Sequence, residues 1–362
     1  MRIDQCLPDF AHHDAIGNHV LGVQRLLQRA GFESDIWADV IHRPVARHAR
    51  PYRERPASSG PDDLLLYHAS TFSDMAGWLL DRAGGGQRVL SDYHNITPAQ
   101  YFARWEPTVA AGVDRARHEL ASLAPVTELA LADSEYNEAE LTAAGYRKTA
   151  TAHLLVDLEE YHAPPDPTAA ARLGRVKDAG GTRWLFVGRL APNKCAHDVI
   201  GAFALYRQLF DPKATLALVG SPTFASYLGA LHRLVADLGL GDAVELPGSL
   251  AFGELLAEFA AADVFVCLSE HEGFCVPLIE AMELSVPVVA YAAAAVPDTV
   301  GDAGLLLDDK DPLAVAVAVG ELLGDPAGLD ALRKAGAARA EALSLPRSSE
   351  RFLALINEHV AP

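Results

Sequence analysis

SEHEGFCVPLIEAMELSVPVVAY, residues 269–291, is the stretch from which the rest of the chain can be read. It places Glu272 and Glu280 with seven residues between them, and Pro277 falls in the interval. Proline suits the first turn of a helix, so the spacing predicts Glu280 in or just after that turn and Glu272 in the loop ahead. A carboxylate early in a helix complements the macrodipole, which is enough to account for Glu280 alone. It does not account for Glu272, His271 and Gly273 directly after the apolar run DVFVCLS. In a parallel sheet, ligand groups gather beyond the carboxyl ends of the strands. Carboxylates there accept hydrogen bonds from sugar or ribose hydroxyls, worth about 1.5–3 kcal/mol each when charged.

Working outward, short apolar runs alternate with amphipathic stretches along nearly the whole chain. This is the βαβα pattern of parallel sheets covered on both faces. In the first half, strands are predicted at 2–6, 34–38, 64–68, 88–92 and 129–134, and helices at 17–30, 72–83, 109–121 and 136–144. YHAPPDP, residues 161–167, carries three prolines and reads as a break. The alternation then restarts. RWLFVGRL, TLALVG, VELPGSL, VFVCLS, PVVAY and GLLL are strands, with helices at 196–209, 224–238, 252–260 and 277–284. The expected fold class is α/β, two doubly wound Rossmann-like domains in tandem. Two such sheets face to face make one cleft, a favoured place for a small-molecule site.

The 362 residues fit two domains, and a hydrophobic share of 50% supplies two cores. The formal net charge of −18 repels nucleic-acid backbones and anionic lipid surfaces, so neither is expected as a partner. Cys6, Cys195, Cys267 and Cys275 match neither a zinc pattern nor a disulfide framework, and are read as reduced thiols of a cytoplasmic protein. MRIDQCLPDF has no apolar stretch of signal-peptide type, and the longest apolar run, 286–296, is too short to span a membrane.

FVGRLAPNKCAHDVI follows a strand and leads into a helix, with Arg189 and Lys194 five apart in the loop. A helix N-terminus already favours anions. Two cations beside it make a diphosphate site, Arg gripping two oxygens and Lys acting as a point charge. Two solvated surface cations are the plain alternative. At this point EGFCVPLIEAM resembles the paired-glutamate motif of glycosyltransferase family 4, the retaining nucleotide-sugar transferases of GT-B fold. FVGRLAPNK resembles the family's phosphate-grip segment, and LALVGS, VELPGSL and VPDTVGDAGLLL resemble further family segments in the right order. The likeness covers most of residues 182–307. HDAIGNHV (13–20), SDYHNITP (91–98) and ADSEYN (132–137) are compatible with the family.

The resemblance implies roles. Glu280 would hold the ribose hydroxyls. Glu272 would contact the donor sugar or sit close to the reacting centre. Arg189 and Lys194 would neutralise the departing diphosphate. The backbone of Gly273, Phe274, Cys275 and Val276 would approach sugar and phosphate, and Pro247, Gly248, Ser249 and Leu250 would flank the base. Many members have glycine where this chain has Cys275, so the thiol is expected to narrow the pocket. His94 would lie near the donor sugar, with Asp92 and Asn95 orienting it or binding acceptor hydroxyls. Gly17 and Asn18 open the first helix, where Gly17 allows close backbone approach; Asp14 as a simple helix cap is the alternative. The domains expected are 1–163, acceptor-binding, and 168–346, donor-binding, with the last helix (347–362) crossing back to the first.

The reaction implied is retaining transfer of a sugar from a nucleoside diphosphate sugar, a UDP-sugar favoured, to a hydroxyl of a small or glycan acceptor. No metal or other cofactor is expected, and the protein is expected as a monomer or homodimer without integral membrane contact. Asp309 and Asp311 lie past the last strand, where a solvated loop is the better reading. The basic run Arg43, Arg47, Arg50, Arg53 and Arg55 is likewise read as a solvated loop. A nucleotide-sugar epimerase or a phosphorylase on the same architecture, and a non-catalytic sugar-nucleotide binder, are the rival readings.

Overall fold

A parallel strand pair needs a crossover of a dozen or more residues, usually a helix, and strands buried on both faces read as unbroken apolar runs. The structure, a computed structural model that describes residues 1–11, 15–56, 60 and 62–360, is assembled from such crossovers. His13 and Asp14, both singled out in the sequence, lie outside the described residues. The chain divides into two units. The first comprises Met1–Ala103, Pro107–Asp157 and Leu343–Pro362; the second comprises Arg104–Glu106 and Leu158–Ala342.

The first unit runs β1 (Ile3–Phe10), α1 (Ala15–Arg29), β2 (Ile36–Ile41), β3 (Ala49–Pro51), β4 (Leu64–Ala69), α2 (Met75–Gly84), β5 (Arg88–Tyr93), α3 (Pro107–Leu123), β6 (Thr127–Ala132), α4 (Glu135–Ala143) and β7 (Thr149–Thr151). Its seven-stranded sheet has the order β3-β2-β1-β4-β5-β6-β7, with every pairing parallel. β3 and β7 carry none of the apolar signal of the central strands. They are three-residue edge strands, ARP and TAT, partly open to solvent, where charge and proline are tolerated.

The second unit runs α5 (Pro167–Asp178), β8 (Arg183–Val187), α6 (Ala196–Leu209), β9 (Thr215–Val219), α7 (Ala225–Asp237), β10 (Val244–Gly248), α8 (Phe252–Ala261), β11 (Val264–Cys267), α9 (Val276–Glu283), β12 (Val288–Tyr291), α10 (Val296–Val300), β13 (Leu305–Leu307), α11 (Pro312–Leu323) and α12 (Pro326–Ala342). The sheet order is β10-β9-β8-β11-β12-β13, again parallel throughout. α5 was hidden behind the proline-rich break. Asp166 caps it by accepting from Thr168 and Ala169 N–H, and Pro167 takes its first position.

α13 (Leu345–Val360) comes last in the chain but belongs to the first unit. Its Phe352, Leu355 and Ile356 share a core with Ile3, Val23, Leu27, Leu64 and Leu66. The unit limits differ from those expected. The second unit begins at Leu158 rather than 168, because the 3-10 turn Leu158–His162 is bonded into it: Tyr161 to Glu280, and His162 Nε2 to Glu283 at 2.8 Å. The return to the first unit begins at Leu343 rather than 347.

The basic run is solvated as expected at Arg43, Arg47, Arg50 and Arg53, but not at Arg55. Arg55 is buried with its Nε 2.8 Å from Asp4, Arg50 pairs with Asp35 over the Trp37 ring, and Arg53 lies over Tyr52. Asp309 accepts from the Asp311 N–H, and Asp311 caps α11. Among the described residues no single helix is long and apolar enough to cross a membrane; one helix pair, bent by 94°, passes by length and composition only.

In the second unit β8 and β11 are neighbours with β9 and β12 outside them, so the strand order reverses between β8 and β11. The crevice beyond such a switch point is where open α/β sheets bind ligands. Gly220 fixes the backbone beside it. With φ at +143°, a Cβ there would lie 1.9 Å from the Gly188 carbonyl oxygen, just past the end of β8. Gly220→Ala is expected to destabilise the second unit by about 3 kcal/mol or more, because backbone must give way. Chemical denaturation followed by tryptophan fluorescence checks this; a midpoint within experimental scatter of the wild type would refute it.

Candidate active site

Two loops leave the switch-point strands, and each ends on a cysteine in the left-handed conformation that caps a helix. After β8, the turn Pro192–Lys194 leads to Cys195 (φ 51°) and α6; after β11, residues 268–274 lead to Cys275 (φ 69°) and α9. A left-handed non-glycine residue costs roughly 1–2 kcal/mol, which gives the family's frequent glycine at the Cys275 position a conformational reason.

The loops are tied together. Asn193 is buried and donates from Nδ2 to the His271 carbonyl at 3.0 Å, while its own carbonyl accepts from Glu270 N–H at 2.9 Å. Lys194 donates to Glu272 in a largely buried ion pair. Thr299 of α10 donates its hydroxyl to the Phe274 carbonyl. Lys310 bridges Asp198 at the start of α6 and Glu270. Asn193, Thr299 and Lys310 escaped the sequence reading because their partners are distant in the chain.

Arg189, in contrast, stands exposed just past β8, and its guanidinium has no side-chain partner among the described residues. It is the one cation of the expected diphosphate grip that is not already neutralised. Pro247 and Gly248 end the edge strand β10, with Ser249 and Leu250 following; Pro247 and Ser249 are exposed.

Glu280 is buried in the first turns of α9 and receives a hydrogen bond from the Tyr161 hydroxyl. Burial pushes its carboxyl up to about 7 from an ordinary value of 4.5, and the Tyr161 bond opposes that rise. Tyr161 packs edge-to-face on Phe252, ring centroids 5.1 Å apart, at the start of the helix that follows Leu250. No local pattern points to Tyr161, which lies 119 residues from Glu280.

In the first unit Asp92, His94 and Asn95 do come together at the carboxyl end of β5, but in a more crowded setting than expected. His94 Nδ1 is 3.0 Å from Asp133 and its Nε2 is 2.9 Å from His68 Nδ1, the two rings stacked at 5.2 Å. Asp92 lies 2.9 Å from His19 Nε2. Leu155 N–H donates to His19 Nδ1, so the proton of neutral His19 is on Nε2 and is given to Asp92. Burial tends to raise the Asp92 carboxyl, but the histidines, His94 first, outweigh it and hold the group well below the usual carboxylate range. Burial pushes His68 down. Asn95 is left-handed (φ 70°) and donates to Asn137 at 2.8 Å.

Gly17 is buried in α1, where a Cβ would meet the Ala11 carbonyl oxygen at 2.3 Å, so its close approach is to its own chain; Asn18 beside it is exposed. Among the described residues, the groups with metal-ligating atoms close together are His19, His68, Asp92 and His94; Cys195, His197 and Asp198; and Cys267, Glu272 and Cys275.

The profile of one family, glycosyl transferases group 1, matches residues 174–339, the span that holds both switch-point loops. Over 334 residues the chain is 34% identical to the GDP-mannose-dependent alpha-(1-6)-phosphatidylinositol monomannoside mannosyltransferase of Mycolicibacterium smegmatis, covering 82% of this chain and 84% of that protein. The chain belongs to glycosyl transferases group 1. A second relative in this group, the D-inositol 3-phosphate glycosyltransferase of Thermobispora bispora, is 27% identical over 370 residues, covering 89% of this chain and 84% of the relative. Among solved structures, Anabaena HepE in complex with UDP superposes with a TM-score of 0.76 at 18% identity, over 99% of this chain and 100% of that one. Sucrose-phosphate synthase from Thermosynechococcus elongatus gives 0.76 at 21% identity, over 99% of each. As a member of glycosyl transferases group 1, the chain is a glycosyltransferase with the GT-B α/β fold.

Proposed function

We propose that the enzyme transfers a hexose, with retention, from a nucleoside diphosphate sugar held by the second unit to a hydroxyl of a polyol or glycan acceptor held by the first. The observation that carries this is the occurrence of an unneutralised cation, Arg189, with the Lys194–Glu272 pair and the buried Glu280 on the two strand-to-helix connections that leave the switch-point strands β8 and β11. Arg189 and Lys194 meet the charge that grows on the departing diphosphate, and stabilising that charge is the main demand of the reaction. Lys194 then divides its charge between Glu272 and the phosphate, which loosens Glu272 to accept from sugar hydroxyls. Glu280 accepts from the ribose. Attack by the acceptor from the face the nucleotide leaves needs no covalent nucleophile on the protein, and these residues meet the charge demand without assigning a step to a metal. Asp92, His94 and Asn95 are assigned to the acceptor unit.

GDP-mannose is the first donor to test, since a relative aligned over most of the chain is named for it. UDP-hexoses come second; the UDP complexes among the structural neighbours are at low identity. The test is a thermal-shift panel of GDP, UDP, ADP and dTDP and their sugars, on wild type and Glu280→Ala. Ligand bound to the folded state alone raises the melting temperature. A rise with one base that vanishes in Glu280→Ala supports the reading and names the base. No response to any of them overturns it.

Tyr161 has a measurable part in this site. Removing its hydroxyl takes away a bond that favours the Glu280 carboxylate, so Tyr161→Phe should weaken nucleotide binding roughly tenfold near neutral pH. It should also move the pH dependence of Kd to higher pH. A role confined to packing on Phe252 would leave the pH dependence where it is, because Phe keeps the ring.

A further inference from the structure

We propose that Cys267 and Cys275 are a modification site: a thiol pair that closes reversibly into a disulfide across the turn bearing Glu272. Cys267 ends β11 and is buried; Cys275 caps α9 and is half-buried. Their Sγ atoms are 3.9 Å apart. A disulfide requires about 2.05 Å, so the sulfurs must approach by roughly 1.9 Å. Besides its partner, Cys267 Sγ lies 3.4 Å from the Ser269 hydroxyl, and the Glu272 carboxylate lies within 4.8 Å of both sulfurs.

The pair is also electronically asymmetric. The bond from the Cys275 thiol favours the Cys267 thiolate and lowers its pKa, and the same bond raises that of Cys275. The other two cysteines lack a partner sulfur of this kind, and burial holds both Cys6 and Cys195 up at about 12.

With a peroxide as oxidant the step balances. The Cys267 thiolate attacks one peroxide oxygen, breaks the O–O bond, and becomes a sulfenic acid as hydroxide leaves. Cys275 sulfur then attacks the Cys267 sulfur, loses its proton, and expels the second oxygen as hydroxide. With the thiol protons, two thiols and one hydrogen peroxide give one disulfide and two waters. The ring so formed encloses residues 268–274, including Glu272 and Phe274, and draws the cap of α9 towards β11. On the donor reading above, that displaces the backbone meant to meet sugar and phosphate, so the oxidised chain should not bind nucleotide.

The test uses the full chain, treated with hydrogen peroxide, alkylated, and cleaved at Glu270 and Glu272, which lie between the two cysteines. The expected result is a Cys267-to-Cys275 cross-linked peptide, lighter by two hydrogens and split by dithiothreitol. The thermal shift given by GDP or UDP should be lost on oxidation and restored by dithiothreitol. Cys267→Ala should keep its nucleotide response before and after peroxide. Two alkylated cysteines after treatment, or a sulfinic acid on either alone, would overturn the proposal. So would a zinc ion retained by the purified chain and released by Cys267→Ala, which would make the group a metal site. If neither form responds to any nucleotide, the donor reading fails, and the disulfide stands or falls on the peptide masses.

Discussion

Arg189→Ala should lower kcat by about 10²–10³-fold with little change in melting temperature. The rate effect follows from what the guanidinium faces. It is an exposed cation with no carboxylate partner among the described residues, set beyond a switch-point strand, while Lys194 nearby is already half-spent on Glu272. Removing one preorganised charge-stabilising donor from a transition state typically costs 10²–10³-fold. The stability effect follows from the same fact: an unpartnered surface side chain contributes within about 0.5 kcal/mol. Arg189→Lys should recover part of the rate, since a point charge returns without the two-pronged grip. Steady-state measurement of released nucleotide decides it. A fall of less than about fivefold would mean that Arg189 is a solvated surface cation after all.

Glu280→Gln should abolish nucleotide binding and, at the same time, stabilise the protein above neutral pH. The two effects have one cause. A carboxylate is held where burial disfavours its charge, so the folded protein binds a proton there more tightly than the unfolded chain, at about 7 against 4.5. Stability from this group is therefore fully present below pH 4.5, declines as pH rises through about 7, and stays low above. A rise of that size corresponds to about 3 kcal/mol at alkaline pH, which Gln, uncharged and nearly the same shape, does not lose. The melting temperature of Glu280→Gln should thus exceed the wild type at pH 8 and match it near pH 4.5. Equal curves at both ends would show that Glu280 ionises without strain. Buried charge retained at such a cost is what a binding site does and a structural core avoids.

The four side chains on which these expectations rest were readable because each stands at a strand-to-helix junction, where residue type and spacing speak directly. The central strands were readable for the same kind of reason, since burial on both faces leaves continuous apolar runs such as LLLYHA and VFVC. β3 and β7 were not, being too short and too polar to differ from loop. What no local pattern could give was the partner of each group. Tyr161 meets Glu280 from across the chain, and His94 is clasped by His68 and Asp133 from two other strand ends. His94 was singled out for being at a strand end, yet both its ring nitrogens face protein groups. Whether a histidine points at substrate or into a network is fixed by tertiary contacts, which spacing does not encode.

α13 has a consequence for synthesis on the ribosome. Domains generally fold as units, the earlier one first. Here the earlier unit cannot finish its core until Phe352, Leu355 and Ile356 have emerged, whereas the later unit is nearly contiguous from Leu158 to Ala342. A chain cut before Leu345 should accordingly yield a protease-resistant fragment from the second unit and digest the first; survival of the first would contradict this. The order of emergence and the order of completion are thus reversed, and the nascent first unit, with an apolar groove unfilled, is the stretch that chaperones would have to shield longest.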